Sequence, residues 1–118
     1  VQTVYAAKRA LAEYFAEGAQ KKWARHTRVI DAIHDGLAQL GLREVIPREM
    51  QAGLVVAVAY PSENFDFERV HDYCYARGFT IYPGKMQRAN TFRLCALGAI
   101  DTPDIAAFFR VFAEALKA

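Results

Sequence analysis

The sequence predicts an α+β domain with a small, mostly antiparallel sheet of three to four strands and helices on one face. Three observations carry the prediction. Apolar residues recur at helical spacing in four separate stretches, short runs rich in Val, Ile, Phe and Thr read as strands, and the elements follow in the order α-α-(β)-β-α-β-β-α.

The first helix rests on Val4, Ala7, Leu11 and Tyr14, and the pattern stops near Gly18. A second helix follows almost at once. Trp23, Ile30 and Leu37 stand at heptad spacing, as do His26, Ile33 and Leu40, and Gly41 supplies the left-handed stop that helix ends favour. Arg43–Ile46 has the pattern of a short edge strand. Leu54–Tyr60 reads as a strand ended by Pro61; because it is apolar on both faces, it calls for cover on both faces, and the four predicted helices supply only one. The second face is therefore expected to meet further protein.

Asp66 can cap a helix with Phe67, Val70 and Cys74 on its apolar side, ending at Gly78. Phe79–Tyr82 and Thr91–Leu97 are the remaining strands, set around a glycine-marked loop. The last helix takes Thr102 as its cap and Pro103 at its first position, and carries the stripe Ile105, Phe108, Phe109, Phe112 and Leu116.

At 118 residues the chain has room for one domain, which spans residues 1–118. Its 53% apolar content and its 15 basic against 13 acidic residues are ordinary for a globular protein, and a net charge of +2 points to no charged polymer as partner. The longest apolar run, Leu54–Tyr60, is too short to cross a bilayer. Cys74 and Cys95 read as reduced thiols, as in a cytoplasmic protein. The chain opens on Val1 directly into helical sequence, which is the expectation for a fragment.

Alternation in the second of the paired strands puts Phe92, Leu94 and Ala96 on one face and Arg93, Cys95 and Leu97 on the other. A guanidinium on a mostly apolar face needs an anion. It is either a structural arginine paired with a carboxylate such as Asp66 or Glu63, or the grip for a small oxyacid, whose carboxylate or phosphonate fits the planar fork of arginine. The cluster Lys21, Lys22, Arg25, His26 and Arg28, opposed by Glu13, Glu17 and Asp31, reads as a solvated helix face and not as a nucleic-acid interface. His34 and His71 have no partners at metal-ligand spacing and read as structural. No phosphate-cradling glycine loop, nucleophile elbow or pair of catalytic carboxylates is visible.

The run Phe79-Thr80-Ile81-Tyr82-Pro83-Gly84-Lys85, followed by Phe92-Arg93-Leu94 and by Leu97-Gly98, resembles the C-terminal part of class V pyridoxal-phosphate aminotransferases, most closely the 2-aminoethylphosphonate–pyruvate transaminases. Thr3-Val4-Tyr5-Ala6, Glu17-Gly18, Trp23-Ala24-Arg25-His26 and Leu40-Gly41-Leu42 fall in that family's order and rough spacing. The resemblance implies the C-terminal small domain of a longer, cytoplasmic, homodimeric enzyme whose large domain binds pyridoxal 5'-phosphate. It implies transfer of an amino group from 2-aminoethylphosphonate to pyruvate, giving phosphonoacetaldehyde and alanine. Other members of the class, of alanine–glyoxylate or serine–pyruvate type, share the arginine strand, and a stand-alone module binding an anion or a partner protein is a non-enzymatic alternative.

By the same resemblance Arg93 grips the substrate's carboxylate, with Gly84, Lys85 and Cys95 beside it. Cys95 departs from the glycine the family usually has there. The Schiff-base lysine of the family lies upstream, so no catalytic, cofactor-binding or metal-binding residue is expected within this chain, and Lys85 is read as a loop residue near the active-site entrance. The expected partners are small anionic amino donors and keto acids, with no nucleic acid and no membrane.

Overall fold

In the computed structural model, which describes residues 1–86 and 89–118, the chain forms four helices and one three-stranded antiparallel sheet. The predicted fold class is borne out. Helix α1 (Gln2–Glu17) and helix α2 (Ala19–Gln39) are separated only by Gly18, whose φ of 85° lies in the left-handed region that breaks a helix. A single turn, Arg48–Met50, precedes strand β1 (Val55–Ala59). Helix α3 (Phe67–Tyr75) starts at Asp66, whose carboxylate accepts from the Arg69 N–H at 3.0 Å. Strands β2 (Tyr82–Met86) and β3 (Ala89–Cys95) follow, and helix α4 (Thr102–Lys117) closes the described chain.

The strands lie in the order β1-β3-β2, with Ala57 and Tyr82 both opposite Arg93. The expected edge strand at Arg43–Ile46 is present as a bridge between Glu44 and Val58, flanked by hydrogen bonds from Val45 N–H to the Ala57 carbonyl and from Ala59 N–H to the Arg43 carbonyl, both 2.9 Å.

One predicted strand shifts. The chain leaves α3 at Gly78, Phe79 and Ile81 pack inward, and pairing begins only at Tyr82, so Pro83-Gly84-Lys85 are strand residues and not the loop that a Pro-Gly pair signals. An edge strand tolerates Pro83 because its missing N–H can face away from the ladder. The cap of α4 also moves back one residue. The Asp101 side chain accepts from the Asp104 N–H while the Asp104 carboxylate accepts from the Asp101 N–H at 2.9 Å, a reciprocal box that an aspartate at this point closes and a Thr102 cap would leave open; Asp101 also accepts from the Thr102 N–H at 2.8 Å.

The core lies between the inner sheet face and helices α2, α3 and α4. Val29, Ile33 and Leu37 descend from α2, Val70 and Cys74 from α3, and Phe108 and Phe112 from α4, onto Val56, Val58, Phe92 and Leu94. Phe92 and Phe112 meet with ring centroids 5.7 Å apart. Gly36 is the contact point of α2 with α4, since a Cβ there would collide with the Phe109 ring. His34 is buried and structural, as expected: its Nδ1 hydrogen-bonds Glu44 Oε1 at 2.8 Å, and Gln51 Nε2 donates to Glu44 Oε2 at 2.5 Å.

Helix α1 buries none of its residues, and Trp23, placed by its spacing on the core stripe of α2, is 68% exposed. The periodicity is real. These residues lie on the part of the helical pair that the rest of the described chain does not cover, so Val4, Leu11, Phe15 and Trp23 present an apolar face to solvent.

Candidate functional site

The outer sheet face is built by alternation along three strands. On β3, Phe92 and Leu94 point to the helices, which turns Arg93 and Cys95 outward, and the inner pair is buried while Arg93 is exposed. The register places Arg93 between Ala57 and Tyr82, Cys95 opposite Val55, and Thr91 between Ala59 and Gly84. Val55, Tyr82 and Leu97 are partly exposed around this face, as the two-sided apolarity of the first strand led one to expect.

Arg93 makes one described hydrogen bond, from Nη2 to the Pro83 carbonyl at 3.2 Å. Neither carboxylate of the structural alternative reaches it. Asp66 is occupied in capping α3, and among the described residues no ion pair involves Arg93 or Glu63. Of its five N–H donors one is engaged by a neutral carbonyl, which leaves the paired edge of the guanidinium open to an incoming oxyanion.

Gly84 lies beside Arg93 for a steric reason. A Cβ on Gly84 would stand 3.3 Å from Arg93 Cγ and 2.6 Å from Thr91 Oγ1. The Thr91 hydroxyl donates to the Gly84 carbonyl at 2.7 Å and is buried. Cys95 lies on the wall of an open cleft of about 270 Å³ bordered by Phe79, Tyr82, Leu94, Leu97 and Phe108. The backbone of Lys85 pairs with Asn90, and its side chain lies outside the described part of the structure. Gly84 and Arg93 are thus brought together on the outer face, whereas Cys95 lies further along β3, on a cleft that neither of them borders.

Two contributors escaped the sequence reading. Thr91 is one; nothing in its spacing marks it apart from other strand threonines. Arg25 is the other, and here the basic-cluster reading needs correction. Arg25 is mostly buried and not solvated: its Nε and Nη2 donate to the Glu17 carboxylate at 2.7 and 3.0 Å, and its Nη1 donates to the Gly98 and Ile100 carbonyls at 2.9 and 3.2 Å. It ties the break between α1 and α2 to the loop that leaves the Arg93 strand, where Gly98 holds a φ of 111°. The hydrogen bond to Arg25 holds the Glu17 carboxyl below the usual carboxylate range, and Glu17 in turn raises the Arg25 guanidinium. Arg28 pairs with Asp101 at 2.9 Å; the Thr102 N–H, and then Arg28, depress the Asp101 carboxyl.

Among the described residues no cluster of His, Cys, Asp or Glu could hold a metal ion, and no helix is long and apolar enough to cross a membrane. Both cysteines are free, and burial pushes the Cys74 thiol up.

No family model matches the chain. A 2-aminoethylphosphonate–pyruvate transaminase of Phocaeicola vulgatus is 34% identical over 115 residues, covering 97% of this chain and 31% of the relative. A protein of the same description from Cupriavidus necator is 34% identical over 116 residues, again 97% of this chain and 31% of the relative. The chain therefore spans about 31% of the length of these curated relatives. The ureidoglycine–glyoxylate aminotransferase of Bacillus subtilis superposes with a TM-score of 0.83 over 96% of this chain and 30% of that structure, at 22% identity, which speaks to fold alone. The resemblance drawn from the Ile81–Lys85 and Phe92–Gly98 segments is borne out by these relatives.

Proposed function

We propose that residues 1–118 are the C-terminal small domain of a longer pyridoxal-phosphate-dependent aminotransferase that converts 2-aminoethylphosphonate and pyruvate to phosphonoacetaldehyde and alanine, with Arg93 gripping the anionic end of each substrate. The observation that carries the reading is a guanidinium with no carboxylate partner among the described residues, on the outer face of the sheet, in a chain 34% identical to transaminases of that name. Its four remaining N–H donors suit a carboxylate or a phosphonate.

The described side chains do not fit the cofactor itself. Lys8, Lys21, Lys22 and Lys117 all lie on helices, and none shares the outer sheet face with Arg93. When bound to the intact enzyme, pyridoxal phosphate supplies the electron sink for amino-group exchange. This chain's share is to hold the substrate's anion, fix its direction and help shield it from water as the domains close. We assign Cys95, and with it Gly84 and Lys85, to the surroundings of that anion. The intact protein is read as a cytoplasmic homodimer acting on small anionic donors and keto acids. Free cysteines fit a reducing compartment.

The test is an amino-donor and keto-acid panel on the full-length protein. Turnover of 2-aminoethylphosphonate with pyruvate above all other pairs is expected; preference for alanine and glyoxylate, or for serine and pyruvate, would move the reading to a neighbouring activity, and absence of any transamination would overturn it. The 118-residue chain alone, incubated with pyridoxal phosphate and reduced with borohydride, should carry no stoichiometric adduct by mass spectrometry. Full labelling at Lys85 would contradict the assignment.

A further inference from the structure

We propose that Gly84 is a positioning residue for Arg93: the missing side chain at this point of β2 lets the arginine stem lie across the edge strand, where the Pro83 carbonyl holds the guanidinium in place for the anion. This rests on the reading of Arg93 as the anion grip and adds what aims it.

The backbone of Gly84 does not require glycine. The glycines with positive φ are Gly18, Gly41, Gly78 and Gly98; Gly84 is an ordinary strand residue paired with Thr91, in a conformation alanine adopts freely. What excludes a side chain is space. An added Cβ would stand 2.6 Å from Thr91 Oγ1, closer than real Cβ contacts allow, and 3.3 Å from both Arg93 Cγ and the Thr91 carbonyl oxygen. A glycine inside a strand that admits another chain segment this closely marks a close approach and not a bend.

Of the groups that would have to yield, the two on Thr91 are poorly placed to do so. Thr91 sits on the central strand, is 1% exposed, and has its hydroxyl committed to the Gly84 carbonyl at 2.7 Å. Arg93 is exposed, and a single weak bond holds its far end, from Nη2 to Pro83 at 3.2 Å. An added methyl group would therefore be pushed off Thr91 Oγ1 toward Arg93 Cγ, already at 3.3 Å, where the exposed arginine stem is the group free to yield. Swinging the stem away from β2 gives up the Pro83 contact and carries the guanidinium off the position from which it meets the anion. Displacement of a substrate-positioning group by about 1 Å is enough for a loss of order 100-fold.

The experiment uses the full-length enzyme with Gly84→Ala, Arg93→Ala and the double variant, assayed on 2-aminoethylphosphonate and pyruvate, together with the inhibition constant of phosphonoacetate as an anionic probe. Gly84→Ala should lower kcat/KM by about 10- to 100-fold and weaken phosphonoacetate in parallel, yet add almost nothing in the Arg93→Ala background, because both changes remove the same contact. Adding Thr91→Ala to Gly84→Ala should restore part of the loss by removing Oγ1. An equal loss from Gly84→Ala in both backgrounds would make Gly84 merely structural and overturn the proposal. So would wild-type kinetics in Gly84→Ala alongside an impaired Arg93→Ala. Wild-type kinetics in Arg93→Ala would instead overturn the underlying assignment of the arginine. If Gly84→Ala does not fold, Thr91→Ala is compared with Gly84→Ala/Thr91→Ala in both Arg93 backgrounds; failure of that pair to fold makes Gly84 a folding residue and sinks the proposal.

Discussion

Replacing Arg93 with Ala in the full-length enzyme removes the guanidinium and leaves the sheet intact. The side chain is exposed, forms no described ion pair, and gives up only one long hydrogen bond, to the neutral Pro83 carbonyl at 3.2 Å, so the thermal midpoint should hardly move. Its function should be lost. Two parallel charge-assisted hydrogen bonds to a substrate oxyanion are worth about 1.5–3 kcal/mol each, or about 3–5 kcal/mol together after allowance for non-additivity. At about 1.4 kcal/mol per factor of ten, kcat/KM should fall by roughly 150- to 5,000-fold, for phosphonate donor and keto acid alike. Arg93→Lys should fall between, since a point charge restores attraction without the second bond. Steady-state kinetics on both half-reactions, with a thermal melt of each variant, decide the matter. Wild-type kinetics in Arg93→Ala would falsify the assignment, and a large fall in the melting temperature would reveal a structural arginine whose partner is another part of the intact protein.

Cys95→Gly, which restores the residue usual in the resembled family, should change the ranking of donors more than the stability of the fold; an unchanged ranking across a donor panel would show that Cys95 does not border the substrate. Phe112→Ala should cost about 3–5 kcal/mol in chemical denaturation, because the ring is fully buried against Phe92 and Phe108, and a cost under about 1 kcal/mol would contradict the packing. Glu17 and Asp101 have folded-state values below their unfolded ones, so the stability they lend is complete above the ordinary carboxylate range near pH 4 and is lost as pH falls through the depressed folded values. Glu17→Gln should accordingly flatten part of the acid limb of a denaturation profile, and an unaltered limb would count against the Arg25 tether. The isolated chain, exposing Val4, Leu11, Phe15, Trp23 and Leu97, should bind a hydrophobic dye or self-associate; a monodisperse, dye-silent monomer would argue against a covering domain.

Much of this molecule was legible along the chain because the signals were local. Gly18, Gly41 and Gly78 end helices by a backbone preference that no neighbour alters, Asp66 caps within its own turn, and the alternation of Phe92 and Leu94 with Arg93 and Cys95 follows from strand pleating alone. The family resemblance lay in the same short segments. Tertiary structure decided what depended on distant partners. Only the ladder to β3 shows Tyr82-Pro83-Gly84 as strand and not turn, because a Pro-Gly pair looks the same locally until an edge position and the opposite Thr91 are known. Helical periodicity gave Trp23 an apolar stripe, but whether a stripe is covered depends on what lies above it, and here nothing described does. Arg25 looked like one basic residue among five until the fold brought Glu17, Gly98 and Ile100 around it, and Arg93 could be freed from its carboxylate alternatives only once Asp66 was seen capping its own helix. Local chemistry fixes which element a residue joins; its partners are set by chain segments remote in sequence, and no spacing rule encodes them.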